Sequence, residues 1–216
     1  MGFQLTTKDY VDYIKKAYER IHAQGDYITE LDSATGDGDH WTNINMGFEK
    51  LVEAAPELEA MDLFSAFKKI SMIMMSVIGG SGGVLYGSAY MEAAKTVKGK
   101  EALESADVCA ILEAMMNGIM TRGKAHPGDK TMLDTLAPVV ECYKACLAEG
   151  ADEKTTCEKV KAAAEAGYQS TMDMEAVRGR AYYQANKGVG HLDPGAVTMY
   201  YQVDTLMDCI ASKLEG

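Results

Sequence analysis

Basic charge is scarce: 21 Lys and Arg stand against 32 Asp and Glu, a net charge of −11. Nucleic acid and anionic membrane surfaces both select a basic face, so this balance argues against either as the main partner. It also means that an anionic ligand needs a cation to bring it in. No apolar run approaches the roughly 20 residues that cross a bilayer, and the first residues lack the charged-then-apolar profile of a secretion signal. The expected location is the cytoplasm. The five cysteines (109, 142, 146, 157 and 209) are odd in number and lack CxxC spacing, which reads as reduced core thiols, with no structural metal or disulfide framework. Strand-like alternation is missing too.

What is present is helical period. Tyr10, Ile14, Tyr18 and Ile21 share one face; so do Leu63, Phe67, Ile70 and Met74, then Val108, Ile111, Leu112, Met115 and Ile119, then Leu133, Leu136, Val140 and Leu147. Counting periodic stretches between breaks predicts eight helices near 7–24, 42–54, 61–77, 83–97, 105–122, 131–149, 152–172 and 195–214. Thr6 with Asp9, Ser105 and Asp152 serve as start signals; Gly25, Gly99 and Gly150 mark ends. Pro138 falls inside a helical run, where it bends the helix or frees a carbonyl for another partner. The fifteen Met residues lie mostly on apolar faces and read as core. With 47% apolar residues in 216 and no internal repeat, the expectation is one all-α domain, 1–216, of antiparallel up-and-down helices. In such a bundle alternate connections share an end, so the four joins rich in Gly, Asp, His and Arg (32–43, 79–83, 122–132 and 178–195) are expected to meet at one rim.

The join at 32–43 reads Asp-Ser-Ala-Thr-Gly-Asp-Gly-Asp-His-Trp-Thr-Asn. It places Asp32, Asp37 and Asp39 on a segment able to fold back on itself, where like charges repel unless a cation sits among them. Hard oxygen donors with no Cys favour Mg²⁺ or Ca²⁺ over zinc. An EF-hand fails: counted from Asp37, Thr42 takes the place of the turn Gly and Phe48 that of the bidentate Glu. The join at 79–83, Gly-Gly-Ser-Gly-Gly, opens a helix and lets backbone N–H groups approach an anion. Gly118 to Ala125 mimics a P-loop but lacks its terminal hydroxyl and its preceding strand, and there is no βαβ unit for a dinucleotide fold. In the 122–132 join, Lys124 and Lys130 read as solvated, with Asp129 or Thr131 capping the next helix; Met132 offers a soft surface for a base. Arg180 offers a bidentate fork for a phosphate.

Taken in order, Gly-Asp-Gly-Asp-His at 36–40 with Asn43, the glycine run at 79–83, Arg-Gly-Lys-Ala-His-Pro-Gly-Asp-Lys-Thr-Met at 122–132, Gly-Arg at 179–180 and Gly-His-Leu-Asp-Pro-Gly at 190–195 resemble the nucleotide-binding L subunits of dihydroxyacetone kinases. The resemblance spans nearly the whole chain. It implies an eight-helix antiparallel barrel that binds ADP or ATP and two Mg²⁺ ions at one rim. It further implies that Asp32, Asp37 and Asp39 hold the metal, and that His40, Trp41, Thr42, Asn43, Ser81, Gly82, Gly123, Met132, Arg180, Asp193, Pro194 and Gly195 line the nucleotide. Many relatives place the phosphate-binding hydroxyl one residue later, followed by Gly-Pro; here Ser81-Gly82-Gly83-Val84 occupy the stretch, so what carries over is the backbone contact. His22 is expected to be an ordinary surface or packed residue, and His126 and His191 to pack within their loops.

The function implied is a relay. A phosphohistidine donor protein, an M-type subunit of the sugar phosphotransferase system, recharges bound ADP, and the γ-phosphate passes to dihydroxyacetone held on a separate K subunit. The aspartates are then metal holders, with no catalytic base among them. Two alternatives stand beside it: an ATP-using half of a dihydroxyacetone or fatty-acid kinase, and a non-enzymatic nucleotide-state module that docks on a transcription regulator.

Overall fold

The computed structural model describes residues 2–214; Met1, Glu215 and Gly216, the ends of the expected domain, lie outside that range. Within it the chain is all-α, as the periodicity predicts. Ten α-helices occur among the described residues: α1 Thr7–Ala23, α2 Gly25–Thr35, α3 His40–Glu53, α4 Ala55–Glu59, α5 Leu63–Val77, α6 Gly80–Thr96, α7 Ser105–Gly123, α8 Leu133–Glu149, α9 Glu153–Ser170 and α10 Pro194–Leu214. Two 3-10 turns, Thr171–Asp173 and Ala181–Tyr183, lie in the long connection between α9 and α10. A single antiparallel bridge joins Leu5 to Leu103.

Two helices exceed the prediction. Gly25, expected near a helix end, also opens α2, with only Gln24 between it and the close of α1. Only Ile28, Asp32 and Thr35 of α2 are buried, so its apolar stripe is too thin to register as a period. α4 is little more than a turn started by Pro56. The expected caps at Thr6 and Asp152 form, Thr6 through a reciprocal box with Asp9. Ser105 is already inside α7, whose box is made by Glu104 and Asp107. The Ser105 hydroxyl turns inward to Tyr143 and Glu153.

The predicted faces build the core. Phe48, Phe67, Tyr86, Tyr90 and Tyr143 are essentially inaccessible to solvent, and full burial of a side chain of this size stabilises by roughly 1.5–3 kcal/mol. Each long helix packs against the next in the order α1, α3, α5, α6, α7, α8, α9, α10, and α10 returns to α1. α8 runs on through Pro138, and Gly167 of α9 seats against that stretch: a Cβ there would fall 2.5 Å from the Asp134 carbonyl and 3.0 Å from the Pro138 ring. All five cysteines are free. No described helix is long and apolar enough to cross a membrane.

Candidate functional site

The N-terminal ends of α3, α6, α8 and α10 and the C-terminal ends of α2, α5 and α7 open on one cavity of about 640 Å³. The helices joined across the cavity, α2 to α3, α5 to α6 and α7 to α8, therefore reverse direction there, and all four unusual joins contribute to the same rim. A volume of this size suits a nucleotide-sized ligand.

Asp32 comes from the last turn of α2, and Asp37 and Asp39 from the short link to α3. One carboxylate oxygen of each lies within 4.8 Å of the others. Asp32 is buried and accepts the His40 N–H at 3.0 Å, which ties it to the start of α3. The exposed Arg180 pairs with Asp37 at 2.5 Å. Asp39 has no ion-pair partner among the described residues. Three close carboxylates, met by one guanidinium, form a hard oxygen set that fits a small divalent cation.

Helical geometry sorts the residues of α3. His40, Asn43 and Ile44, at i, i+3 and i+4, face the cavity. Trp41 and Asn45 turn to α1: the Trp41 indole N–H donates to the Ile21 carbonyl at 3.1 Å, and Asn45 meets His22. Thr42 is exposed on the remaining face. Of the expected nucleotide-lining residues, Trp41 and Thr42 are the two not brought to the cavity wall; His40, Asn43, Ser81, Gly82, Gly123, Met132, Arg180, Asp193, Pro194 and Gly195 all line it. His40 Nε2 lies 2.9 Å from Thr198 Oγ1, a hydroxyl that also lies 3.2 Å from the Gly195 carbonyl. Burial holds the His40 imidazole below its ordinary pKa, against the opposing pull of Asp32 and Asp39.

α6 starts at Gly80, three residues earlier than predicted, so the glycine run forms its first turn. Its cap residue, Gly79, has no side chain to accept the free N–H groups. A Cβ at Gly79 would fall 2.6 Å from Asn43 Oδ1, and Gly80 has φ +62. The backbone therefore reaches the cavity wall with its donors uncovered, beside the carboxylates of the α2–α3 link.

The expectation of a solvated 122–132 join holds for Lys124, which is exposed, and fails for Lys130. Lys130 is 3% exposed, lines the cavity and donates to the carbonyls of Thr171 and His191. Burial depresses its pKa, opposed by Asp193, Asp134 and Asp173. Thr131 Oγ1 does accept the Leu133 N–H, but Asp129 caps its own turn at His126. The turn is instead held by Asp134, which accepts the N–H groups of Gly128 and Thr131. Thr131-x-x-Asp134 is a capping pattern visible in the sequence, of which only Thr131 is among the expected caps. Asp193 caps α10 through the Ala196 N–H at 2.7 Å. Burial pushes its carboxyl up to about 7, with Asp134 and Asp32 adding to the rise and the Ala196 N–H and Lys130 opposing it. His126 and His191 are exposed at the loop surface.

These features define a class: an all-helical protein whose helix ends close around an acidic, glycine-lined cavity. A family model described as the DAK2 domain matches residues 34–208, and the chain belongs to that family. The ADP-binding subunit DhaL of the PEP-dependent dihydroxyacetone kinase of Escherichia coli is 32% identical over 202 residues, covering 94% of this chain and 96% of that one. The ADP-binding subunit DhaL of the PEP-dependent dihydroxyacetone kinase 1 of Listeria innocua is 39% identical over 178 residues, covering 82% and 84%. Human triokinase/FMN cyclase is 33% identical over 191 residues, but these make up 32% of its length. Among solved structures, the dihydroxyacetone kinase of C. freundii in its native form superposes with a TM-score of 0.71 at 21% identity, over 92% of this chain and 34% of that one. The same kinase in complex with AMP-PNP and Mg²⁺ gives 0.69. At that identity the likeness establishes the fold.

Proposed function

We propose that this chain is the nucleotide-carrying subunit of a dihydroxyacetone kinase. It keeps ADP with two Mg²⁺ ions in the rim cavity, accepts a phosphoryl group from a phosphohistidine donor protein, and yields it to dihydroxyacetone on a separate K subunit. One observation carries the reading: the Asp32, Asp37 and Asp39 cluster and the uncapped glycine start of α6 line the same cavity. The match to the DhaL subunits of two PEP-dependent kinases, at 32% and 39% identity, supports the relay reading.

Phosphoryl transfer asks a protein for position and charge more than for covalent groups. The three aspartates would hold the metal, which when bound neutralises phosphate oxygens and orients them. The N–H groups of Gly80, Ser81 and Gly82 donate toward a phosphate from the positive end of α6. Arg180, exposed beside the cavity and paired with Asp37, would supply a guanidinium to a phosphate oxygen. Asn43 and His40 line the floor, and Met132 with Ile78, Leu85 and Ile119 offers apolar wall for the base. No side chain here is needed as a general base.

Denaturing the purified protein and identifying released nucleotide by chromatography tests the first half: ADP is expected at near one equivalent. Reconstitution tests the second. Dihydroxyacetone is expected to be phosphorylated only with K subunit and phosphohistidine donor both present; turnover on free ATP as sole donor refutes the relay.

A further inference from the structure

We infer that Lys130 is a positioning residue of the cavity: its buried ammonium staples the 188–195 wall to the turn that opens α8. The staple rests on geometry alone; its effect on ADP rests on the function proposed above. An ammonium this deeply buried needs hydrogen-bond acceptors in place of water. Two go to main-chain carbonyls of segments distant in sequence, Thr171 at the end of α9 and His191 in the α9–α10 connection, the latter at 2.5 Å. Thr171 is itself fully buried, and its hydroxyl takes the Asp193 N–H at 3.0 Å; Gly190 N–H binds the Met172 carbonyl at 2.8 Å. Lys130 thus closes a three-way junction.

Two further features show that the chain is shaped around this side chain. Lys130 has φ +62, a conformation that residues with a Cβ avoid. Gly188 lies directly on its stem: a Cβ there would stand 3.2 Å from Lys130 Cε. The junction sets the register between Met132, two residues on, and Asp193 to Gly195. The Cβ position of Gly195 is 3.7 Å from the Met132 backbone nitrogen. These are the two walls that must stay together for a ligand to be retained.

The test compares Lys130→Met and Lys130→Arg with Lys124→Met. The last removes the same charge from the same connection at an exposed left-handed residue. With Lys130→Met, amides of 188–193 are expected to exchange at least tenfold faster while α1 and α5 are unchanged, and bound ADP to leave at least tenfold faster. Lys130→Arg restores slow release, and Lys124→Met changes neither. Unaltered exchange and release in Lys130→Met, or release from Lys130→Arg as fast as from Lys130→Met, overturns the inference. Should Lys130→Met not fold, amine acylation of the wild-type protein decides: Lys130 is expected to react far more slowly than Lys124, and equal reactivity sinks the staple. If the wild-type protein carries no ADP, the proposed function fails, while exchange and acylation still judge the staple.

Discussion

Replacing Asp39 by Asn should stabilise the metal-free protein and cripple its response to magnesium. One oxygen from each of the three carboxylates lies within 4.8 Å of the others, and the Asp39 side chain alone of the three has neither a hydrogen bond nor an ion pair within the described residues to lose. At that separation each like-charge pair costs about 1 kcal/mol in water-like surroundings and about 3.5 kcal/mol at an effective dielectric of about 20. Asp37 and Asp39 are exposed, which places the cost near the lower figure. Removing two such pairs returns about 2 kcal/mol, less whatever salt screens. For a chain of this size that is a rise in Tm of about 4–8 °C. Magnesium should raise the Tm of the wild type by mass action and leave that of Asp39→Asn nearly flat. Differential scanning calorimetry at low salt, with EDTA or with millimolar MgCl₂, reads both effects. A fall in Tm in EDTA, or a full magnesium shift in the variant, would refute the reasoning that these carboxylates are held together for a cation.

Asp193 gives a pH signature opposite to that of an ordinary aspartate. Its carboxyl is raised to about 7 in the folded state, so the native protein holds a proton that the unfolded chain has released above the ordinary value of 3.8. Its stabilising contribution is complete below the unfolded value and disappears as pH rises through about 7. Thermal melts from pH 5 to 8 should show wild-type stability falling over that window and Asp193→Asn flattening the fall; parallel curves would argue against it. Arg180→Ala should cost less than about 1 kcal/mol of folding free energy, because its pair with Asp37 is exposed on both sides. The same variant should bind Mg²⁺ more tightly, with Asp37 released, and ADP more weakly; calorimetric titration of each ligand separates the two, and a collapse of helicity would make Arg180 structural.

The helical architecture was legible because helix formation is local. An apolar residue every three or four positions makes a buried stripe wherever the helix packs, and each predicted run has its observed counterpart within three residues at either end. α2 escaped because it buries little, and its first residue is a glycine of the kind that elsewhere marks an end. The rim was legible for a related reason: Gly, Asp, His and Arg concentrated in four joins of an up-and-down bundle have few places to go. Trp41 and Thr42 show where motif reading stops. They sit inside the motif stretch, yet a rotation of about 100° per residue carries them off the face that His40 and Asn43 share.

Residue content and order along the chain determined the all-α class, the net negative charge and the set of aspartates and glycines offered to a ligand, since periodicity and motif spacing depend on neighbours along the chain, and charge on residue content alone. Packing between distant segments decided the rest. It set Arg180 against Asp37, drew Lys130 out of water onto two carbonyls contributed from residues 171 and 191, and turned one side of α3 into a cavity wall. Those outcomes depend on which helix end lies beside which, and that is settled only when the long helices close upon one another around a shared core.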